Sequence, residues 1–71
     1  MPKPVSWREL IRRLRFLGFM GPEWGKKHPF MVKGTLRLCI PNDHGEDIRA
    51  HLLAEILRQA EIDSNTWDEA A

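Results

Sequence analysis

A single cysteine, Cys39, in a chain of 71 residues restricts how this protein can be stabilised. A lone thiol cannot form an internal disulfide, and the Cys and His residues do not have the spacing of a zinc finger. Chains of this length are near the lower limit at which an apolar core alone supports folding. The sequence therefore predicts one small domain over residues 1–71 that is held together by side-chain packing.

The N-terminal residues 1–10 lack the apolar segment of a signal peptide. Polar or charged residues interrupt each apolar run within a few positions, which excludes a membrane-spanning helix. We therefore expect a soluble, cytoplasmic protein that does not associate with a membrane.

Charge is divided unevenly along the chain, although the net charge is only +1. Residues 1–37 contain nine basic and two acidic residues, or +7, whereas residues 38–71 contain two basic and eight acidic residues, or −6. Such asymmetry is typical of a protein in which one half faces a polyanion. The alternative is two solvated faces of opposite sign without a binding function.

The first helix has a start signal and a clear apolar periodicity. Ser6 followed by Glu9 is typical of a capping box, so the helix is predicted to begin at Trp7. Its apolar stripe consists of Trp7, Leu10, Ile11, Leu14 and Leu17. Three arginines line one flank: Arg8, Arg12 and Arg15. Phe16 lies nearly opposite the stripe, which favours a contact surface, although single exposed aromatic residues without a function are common.

Residues 19–41 change to strand-like segments separated by turns. Residues 19–24 (FMGPEW) favour a short strand interrupted at Gly21-Pro22. Residues 28–41 (HPFMVKGTLRLCIP) favour two strands that meet at a tight turn. We therefore predict a three-stranded antiparallel meander.

The tight turn is predicted at Lys33-Gly34, and its position sets the pairing of the second and third strands. With this turn, His28 pairs with Cys39, and His28 and Arg37 project from the same face of the sheet. A shift of one residue would reverse that placement.

The second half of the chain favours helices after a polar loop. A helix is predicted over residues 48–60, with a buried arc of Leu52, Leu53, Ile56, Leu57 and Ala60. Ser64 is a suitable cap for a last short turn, in which Trp67 folds back onto the core. The predicted fold is α+β: helix, three-stranded antiparallel sheet and helix, with a short C-terminal helical turn.

Four segments, taken in order, carry a family likeness. They are LGF at the end of the arginine-rich helix (17–19), Gly-x-x-His at a strand opening (25–28), LRLCIP (36–41) and HGEDIRAHLLAEILRQAEI (44–62). Together they resemble the HicA toxin family over nearly the whole chain. The resemblance implies a fold similar to the double-stranded RNA-binding domain, cleavage of messenger RNA and neutralisation by a HicB-type antitoxin. It also implies that His28 occupies the family's catalytic histidine position.

Two segments depart from the family pattern. Lys26 and Lys27 fill the space before His28, where the family often has a second small residue directly before its histidine. Glu61 stands where many members have glycine, within the segment QAEI (59–62). The first departure concerns the backbone near the histidine, and the second concerns the end of the second helix.

RNA cleavage without a metal requires three things. A base accepts the 2′-hydroxyl proton, cations stabilise the charge on phosphorus, and an acid protonates the 5′-oxygen. An imidazole exchanges protons near neutral pH and suits either proton transfer. We therefore predict that His28 is the catalytic base or acid, with no metal or other cofactor. The predicted RNA-binding residues are Lys26, Lys27 and Arg37 for phosphate, and Arg8, Arg12 and Arg15 along the RNA backbone.

Other interpretations of these residues remain open. His28 could be an ordinary strand-end residue beside lysines that keep a sheet edge soluble. Cys39 has no neighbouring histidine in sequence that would activate it as a nucleophile. A metal site of His28 and His44 with Asp43 or Asp47 would lack a close ligand pair.

Three functions therefore remain for the whole protein. The favoured one is a ribonuclease toxin whose partners are messenger RNA and a HicB-type antitoxin, without DNA binding of its own. The second is a non-catalytic double-stranded RNA-binding module, and the third is a small domain whose basic face binds only protein.

Overall fold

The computed structural model describes residues 2–71 and contains three helices and three strands. The helices are α1 (Trp7–Phe16), α2 (Ala50–Gln59) and α3 (Ser64–Glu69), and the strands are β1 (Met20–Trp24), β2 (Pro29–Lys33) and β3 (Leu36–Cys39). The strands form one antiparallel sheet in the order β1-β2-β3. The predicted α+β architecture is confirmed. No helix in the described part of the chain is long and apolar enough to cross a membrane.

Helix α1 begins where the capping signal predicted. The Ser6 hydroxyl accepts a hydrogen bond from the Glu9 backbone N–H at 3.0 Å, which satisfies a donor that the first helical turn leaves free. The Glu9 carboxylate does not return to the cap but accepts hydrogen bonds from Arg12 and Arg13. Three stripe residues are buried (Leu10, Ile11 and Leu14), and Trp7 and Leu17 pack against them.

The turn between β2 and β3 differs from the prediction. Lys33 pairs with Leu36, so the turn is formed by Gly34-Thr35 and not by Lys33-Gly34. Gly34 has a φ of +61°, a conformation that glycine adopts without steric cost. The pairing is therefore shifted by two residues from the predicted one, which leaves each side chain on its predicted face.

The apolar core lies between one face of the sheet and the helices. On the sheet, the cross-strand pair Met31 and Leu38 is fully buried. On the helices, Leu10, Leu14 and Leu53 are equally buried, and all five belong to one cluster. The opposite face of the sheet carries Phe30, Val32, Arg37 and Cys39, of which the last two are exposed. The helices therefore cover a single face, and the other remains accessible.

Helix α2 begins two residues later than predicted. Ile48 forms an antiparallel bridge with Val5, in which the two residues exchange backbone hydrogen bonds of 2.6 and 3.2 Å. This bridge joins the segments that precede α1 and α2, and α2 then starts at Ala50. The prediction that Leu52 is buried is wrong, because 45% of its surface is exposed.

The C-terminal turn is a short helix, and its aromatic residue folds back as predicted. The cap is Asp63 and not Ser64, since the Asp63 carboxylate accepts a 2.7 Å hydrogen bond from the Thr66 backbone N–H. Trp67 is only 1% exposed. The guanidinium of Arg13 lies 4.8 Å from the centre of the Trp67 ring, so α3 is attached to α1 by a cation–π contact as well as by apolar packing.

A residue close to the end of α2, Glu61, has a backbone conformation that is unfavourable for a side chain with a Cβ. Glu61 follows the C-terminal cap of α2 with a φ of +60°, in the left-handed region, where the residue after a helix is usually glycine. We expect Glu61→Gly to increase the free energy of unfolding by about 0.5–1 kcal/mol, because removal of the Cβ outweighs the added freedom of the unfolded chain. Urea denaturation measures this difference. The control is Glu61→Ala, which removes the charge and keeps the Cβ; a Gly variant no more stable than the Ala variant would contradict the prediction.

Candidate nucleic-acid interface

Two lysines occupy the tip of the β1–β2 hairpin. The Gly25 backbone N–H donates to the His28 carbonyl at 3.2 Å, which closes a two-residue turn made of Lys26 and Lys27. All four residues are exposed. His28 immediately precedes β2, which begins at Pro29. The Gly-x-x-His motif is therefore a tight hairpin turn with two cations at its tip.

The closing glycine of this turn lies against an aromatic ring. A Cβ on Gly25 would lie 3.1 Å from the His28 carbonyl oxygen and 3.8 Å from the Phe30 ring. Arg37 covers Phe30 from the neighbouring strand, with its guanidinium carbon 3.8 Å from the ring centre. The Phe30 ring thus links the hairpin turn to a cation on β3. A side chain at position 25 would crowd the His28 carbonyl, because that contact alone is shorter than an ordinary van der Waals distance.

His28 lies on the same side of the sheet as this stack. The ladder between β1 and β2 pairs Glu23 with Phe30 and Trp24 with Pro29. The backbone hydrogen bond between Gly25 and His28 is the next step of the same ladder. Because side chains alternate along a ladder, His28 is placed on the face of Phe30, and Val32 and its partner Arg37 continue that face. The predicted pairing of His28 with Cys39 is wrong, since Phe30 takes that place.

A shallow cleft of about 260 Å³ runs from the turn to helix α2. Its lining includes His28, Cys39, Pro41, Leu52, Glu55 and Gln59. The packing of α2 on β3 brings Glu55 to this cleft, and the sequence had placed Glu55 only on the wet side of the helix. Hydrogen bonds from Arg58 and then Gln59 lower the pKa of Glu55, so it is an ionised carboxylate at neutral pH. The packing also places the exposed thiol of Cys39 in the cleft that His28 lines.

The three predicted arginines of α1 line a wider groove of about 650 Å³, together with Trp7 and with Pro22 of β1. Two of the three have partners within the protein. Arg12 makes a two-pronged contact with Glu9 at 2.7 and 2.8 Å and also donates to the Ala70 carbonyl, while Arg15 donates to the Gly21 carbonyl at 2.7 Å. Both remain exposed, as is Arg8. The groove is therefore basic, but the charge of Arg12 is already balanced.

The ion pairs of residues 2–71 leave the turn lysines unneutralised. They join Glu9 to Arg12 and Arg13, and Glu55 to Arg58. Within the same residues, the structure brings together no group of three His, Cys, Asp or Glu side chains that could hold a metal ion. The predicted site residues thus fall into two sets: the turn with Arg37 on the open sheet face, and the arginine groove on α1.

These features define a small α+β domain with the helix, three strands, helix order of the double-stranded RNA-binding architecture, and with two basic surfaces. Residues 7–62 match the family model of the HicA toxin of bacterial toxin–antitoxin systems, and the chain belongs to this family. The match includes His28 and each predicted RNA-binding residue, and it ends before α3. No curated protein and no solved structure matches the chain. Family membership assigns the chain a toxin role in a toxin–antitoxin pair.

The ion pairs of Glu9 with Arg12 and Arg13 allow a test of whether these two arginines stabilise the fold. Hydrogen bonds from Arg12 and Arg13 lower the pKa of Glu9 from its ordinary 4.5 to about 2. A carboxylate with a depressed pKa stabilises the fold above pH 4.5, and this contribution disappears as the pH falls towards 2. We expect Glu9→Gln to lose about 1 kcal/mol of unfolding free energy at pH 7 and to equal the parent near pH 2. Urea denaturation across this pH range measures the difference.

Glu55→Gln is the matched control, because its pair with Arg58 is more exposed to solvent than the Glu9 pair. A smaller loss is expected there. A Glu9→Gln deficit that stays constant between pH 7 and 2 would show that the carboxylate charge is not its cause.

Proposed function

We propose that this chain is an endoribonuclease toxin that cleaves messenger RNA in the cytoplasm, with His28 as its proton-transfer residue. One observation carries the proposal: an exposed histidine closes a tight turn whose two tip residues are unpaired lysines. An imidazole beside cations is suited to chemistry at a phosphodiester. Membership of the HicA toxin family supports the same conclusion.

The proposed reaction uses the 2′-hydroxyl of the substrate as its nucleophile. A base accepts the 2′-hydroxyl proton, the 2′-oxygen forms a bond to phosphorus, and the bond from phosphorus to the 5′-oxygen breaks. The 5′-oxygen takes up a proton, so the products are a 2′,3′-cyclic phosphate and a 5′-hydroxyl end. His28 performs one of these proton transfers. A single positioned acid or base contributes roughly 10²- to 10⁴-fold in rate, so the enzyme is expected to be slow.

Lys26, Lys27 and Arg37 are the proposed phosphate ligands. The lysines are at the turn tip, and Arg37 is on the same sheet face as His28, where Phe30 supports its guanidinium. A guanidinium held in place gives up less side-chain freedom when it binds phosphate. The α1 groove offers a second basic surface for the RNA backbone, mainly through Arg8 and Arg15.

A HicB-type antitoxin is the proposed inhibitor. The turn borders the open sheet face, so a partner that covers both excludes RNA from His28. This arrangement needs no rearrangement of the core.

A non-catalytic double-stranded RNA-binding module is the second candidate. The order of helices and strands and the arginine groove on α1 favour it. It differs from the first candidate in a measurable way, because such a module binds an RNA duplex tightly and leaves it intact.

Incubation of a long messenger RNA with the purified chain in EDTA tests the proposed enzyme. Cleavage by the parent, loss of cleavage in His28→Ala and unchanged activity in His51→Ala are the expected results, and His51 is a matched control because it is an exposed histidine on α2. Cyclic phosphate ends would identify the 2′-hydroxyl as nucleophile. Full activity of a folded His28→Ala chain would show that His28 takes no part in cleavage. Intact RNA with a folded parent would favour the binding module.

The lysines of the turn are tested through the salt dependence of binding. Each phosphate contact contributes about 0.7 to the slope of log affinity against log salt for a single strand, so Lys26→Ala/Lys27→Ala should reduce the slope by about 1.4. Binding of a 2′-O-methyl RNA, which has no free 2′-hydroxyl, measures this without cleavage. Arg58→Ala on the acidic half should leave the slope unchanged, because Arg58 is paired with Glu55. Equal slopes for the lysine variant and the parent would show that RNA phosphates do not contact these two lysines.

A further inference from the structure

Trp24 is an exposed aromatic residue at the end of the β1–β2 hairpin. It is 67% exposed, although a chain of this size has few large apolar side chains with which to build a core. Its backbone partner is Pro29, which is buried on the helix side of the sheet. Trp24 is therefore on the helix side as well, but the helices leave it uncovered. The structure gives this indole no packing role that would explain its presence.

The neighbours of Trp24 in the hairpin carry the proposed chemistry. Gly25, Lys26 and Lys27 follow it directly, and His28 closes the turn. Trp24 and His28 are diagonal neighbours of one ladder, so their Cα atoms are roughly 6 Å apart. Alternation places the indole on one side of the hairpin and His28 on the other. A nucleic-acid strand that crosses the lysine tip would thus have an aromatic surface on one side and His28 on the other.

The position of Trp24 separates it from the other exposed apolar residues near β1. Met20 is at the opposite end of the strand, and the β2 partners of the two residues, Val32 and Pro29, are three residues or roughly 10 Å apart. Phe16 ends α1, four residues before Met20. Trp24 therefore does not extend an apolar patch of the size that protein partners cover. Two lysines next to an aromatic ring instead match a ligand that combines phosphate charge with a flat base.

We propose that Trp24 forms a subsite for one unpaired nucleobase of the substrate and thereby makes the protein selective for single-stranded RNA. The proposal rests on the proposed action on RNA. A base inside a duplex is stacked between its neighbours and cannot lie flat on an indole, whereas an unpaired base can. Stacking does not distinguish strongly among bases, so the subsite confers preference for unpaired RNA without a strict sequence.

Binding of a 12-nucleotide, non-self-complementary 2′-O-methyl RNA measures the subsite without cleavage. Trp24→Ala should weaken binding of the single strand by roughly 10- to 100-fold, whereas Trp24→Phe should retain most of the affinity. Met20→Ala is the matched control, since Met20 is at least as exposed as Trp24 but lies at the opposite end of β1. It should bind like the parent. The duplex form of the same RNA should bind Trp24→Ala and parent equally.

Indole fluorescence provides a second measurement. Trp67 is buried and Trp7 is half-buried, so the emission that a solvent quencher removes from the free protein comes mainly from Trp24. The single strand should quench this emission in the parent. It should leave the remaining indole emission of Trp24→Phe unchanged. A thermal midpoint close to that of the parent shows that each variant is folded.

Different failures have different meanings. Unchanged single-strand binding by folded Trp24→Ala, or an equal loss for single strand and duplex, would overturn the subsite. If Trp24→Ala instead lost only affinity for the antitoxin, Trp24 would be a protein contact and the subsite would again be excluded. If Trp24 binds a base but the protein cleaves no messenger RNA, the subsite is supported and the proposed nuclease activity is not. If Trp24→Ala cleaves messenger RNA with an unchanged KM, the nuclease activity is supported and the subsite is not.

Discussion

The packing of α1 and α2 against a single face of the sheet, with α3 attached to α1, is the constraint on which the rest of this structure depends. A chain of 71 residues without a disulfide has to place its apolar side chains in one cluster. Met31 and Leu38 supply the sheet's part of that cluster, and the helices supply most of the remainder. Too little chain remains to build a second layer. The opposite face of the sheet is therefore left open, and this face carries Phe30 and Arg37.

The core also requires residues outside the family-matched segment. Trp67 and Ala70 are buried, although the match ends at residue 62. Arg12 and Arg13 attach this last helix to α1 through the Ala70 carbonyl and the Trp67 ring. One of the arginines predicted to bind RNA, Arg12, thus contributes to stability. The arginine-rich helix has a structural side and a solvent side, and Arg8 lies on the latter.

Local signals predicted the elements of this fold, and long-range contacts account for the differences. The Ser6 cap and the stripe of α1 depend on residues within a few positions, so the sequence was sufficient to place them. The start of α2 depends on a bridge between Val5 and Ile48, which are distant in sequence. The β2–β3 turn moved by one residue because Gly34, with its positive φ, takes the first turn position and not the second.

The candidate site was predictable in its residue types more than in its arrangement. His28 and the two lysines follow from the Gly-x-x-His segment and the family resemblance. Their presentation as a closed turn follows from one backbone hydrogen bond, between Gly25 and His28. Glu55 and Cys39 reach the His28 cleft only because α2 packs on β3. Trp24 gave no signal in the sequence, since an aromatic residue in a strand ordinarily indicates core.

The separation of core and turn bears on how such a toxin is controlled. The residues that stabilise the fold lie between the sheet and the helices, whereas the turn residues and Trp24 are exposed at one end. A partner that covers this end contacts few core side chains, so the toxin stays folded while it is bound. Its release then requires only the loss of surface contacts and no refolding step. Under the proposed function, an antitoxin acts by excluding RNA from a site that is already formed, and removal of the antitoxin restores cleavage at once.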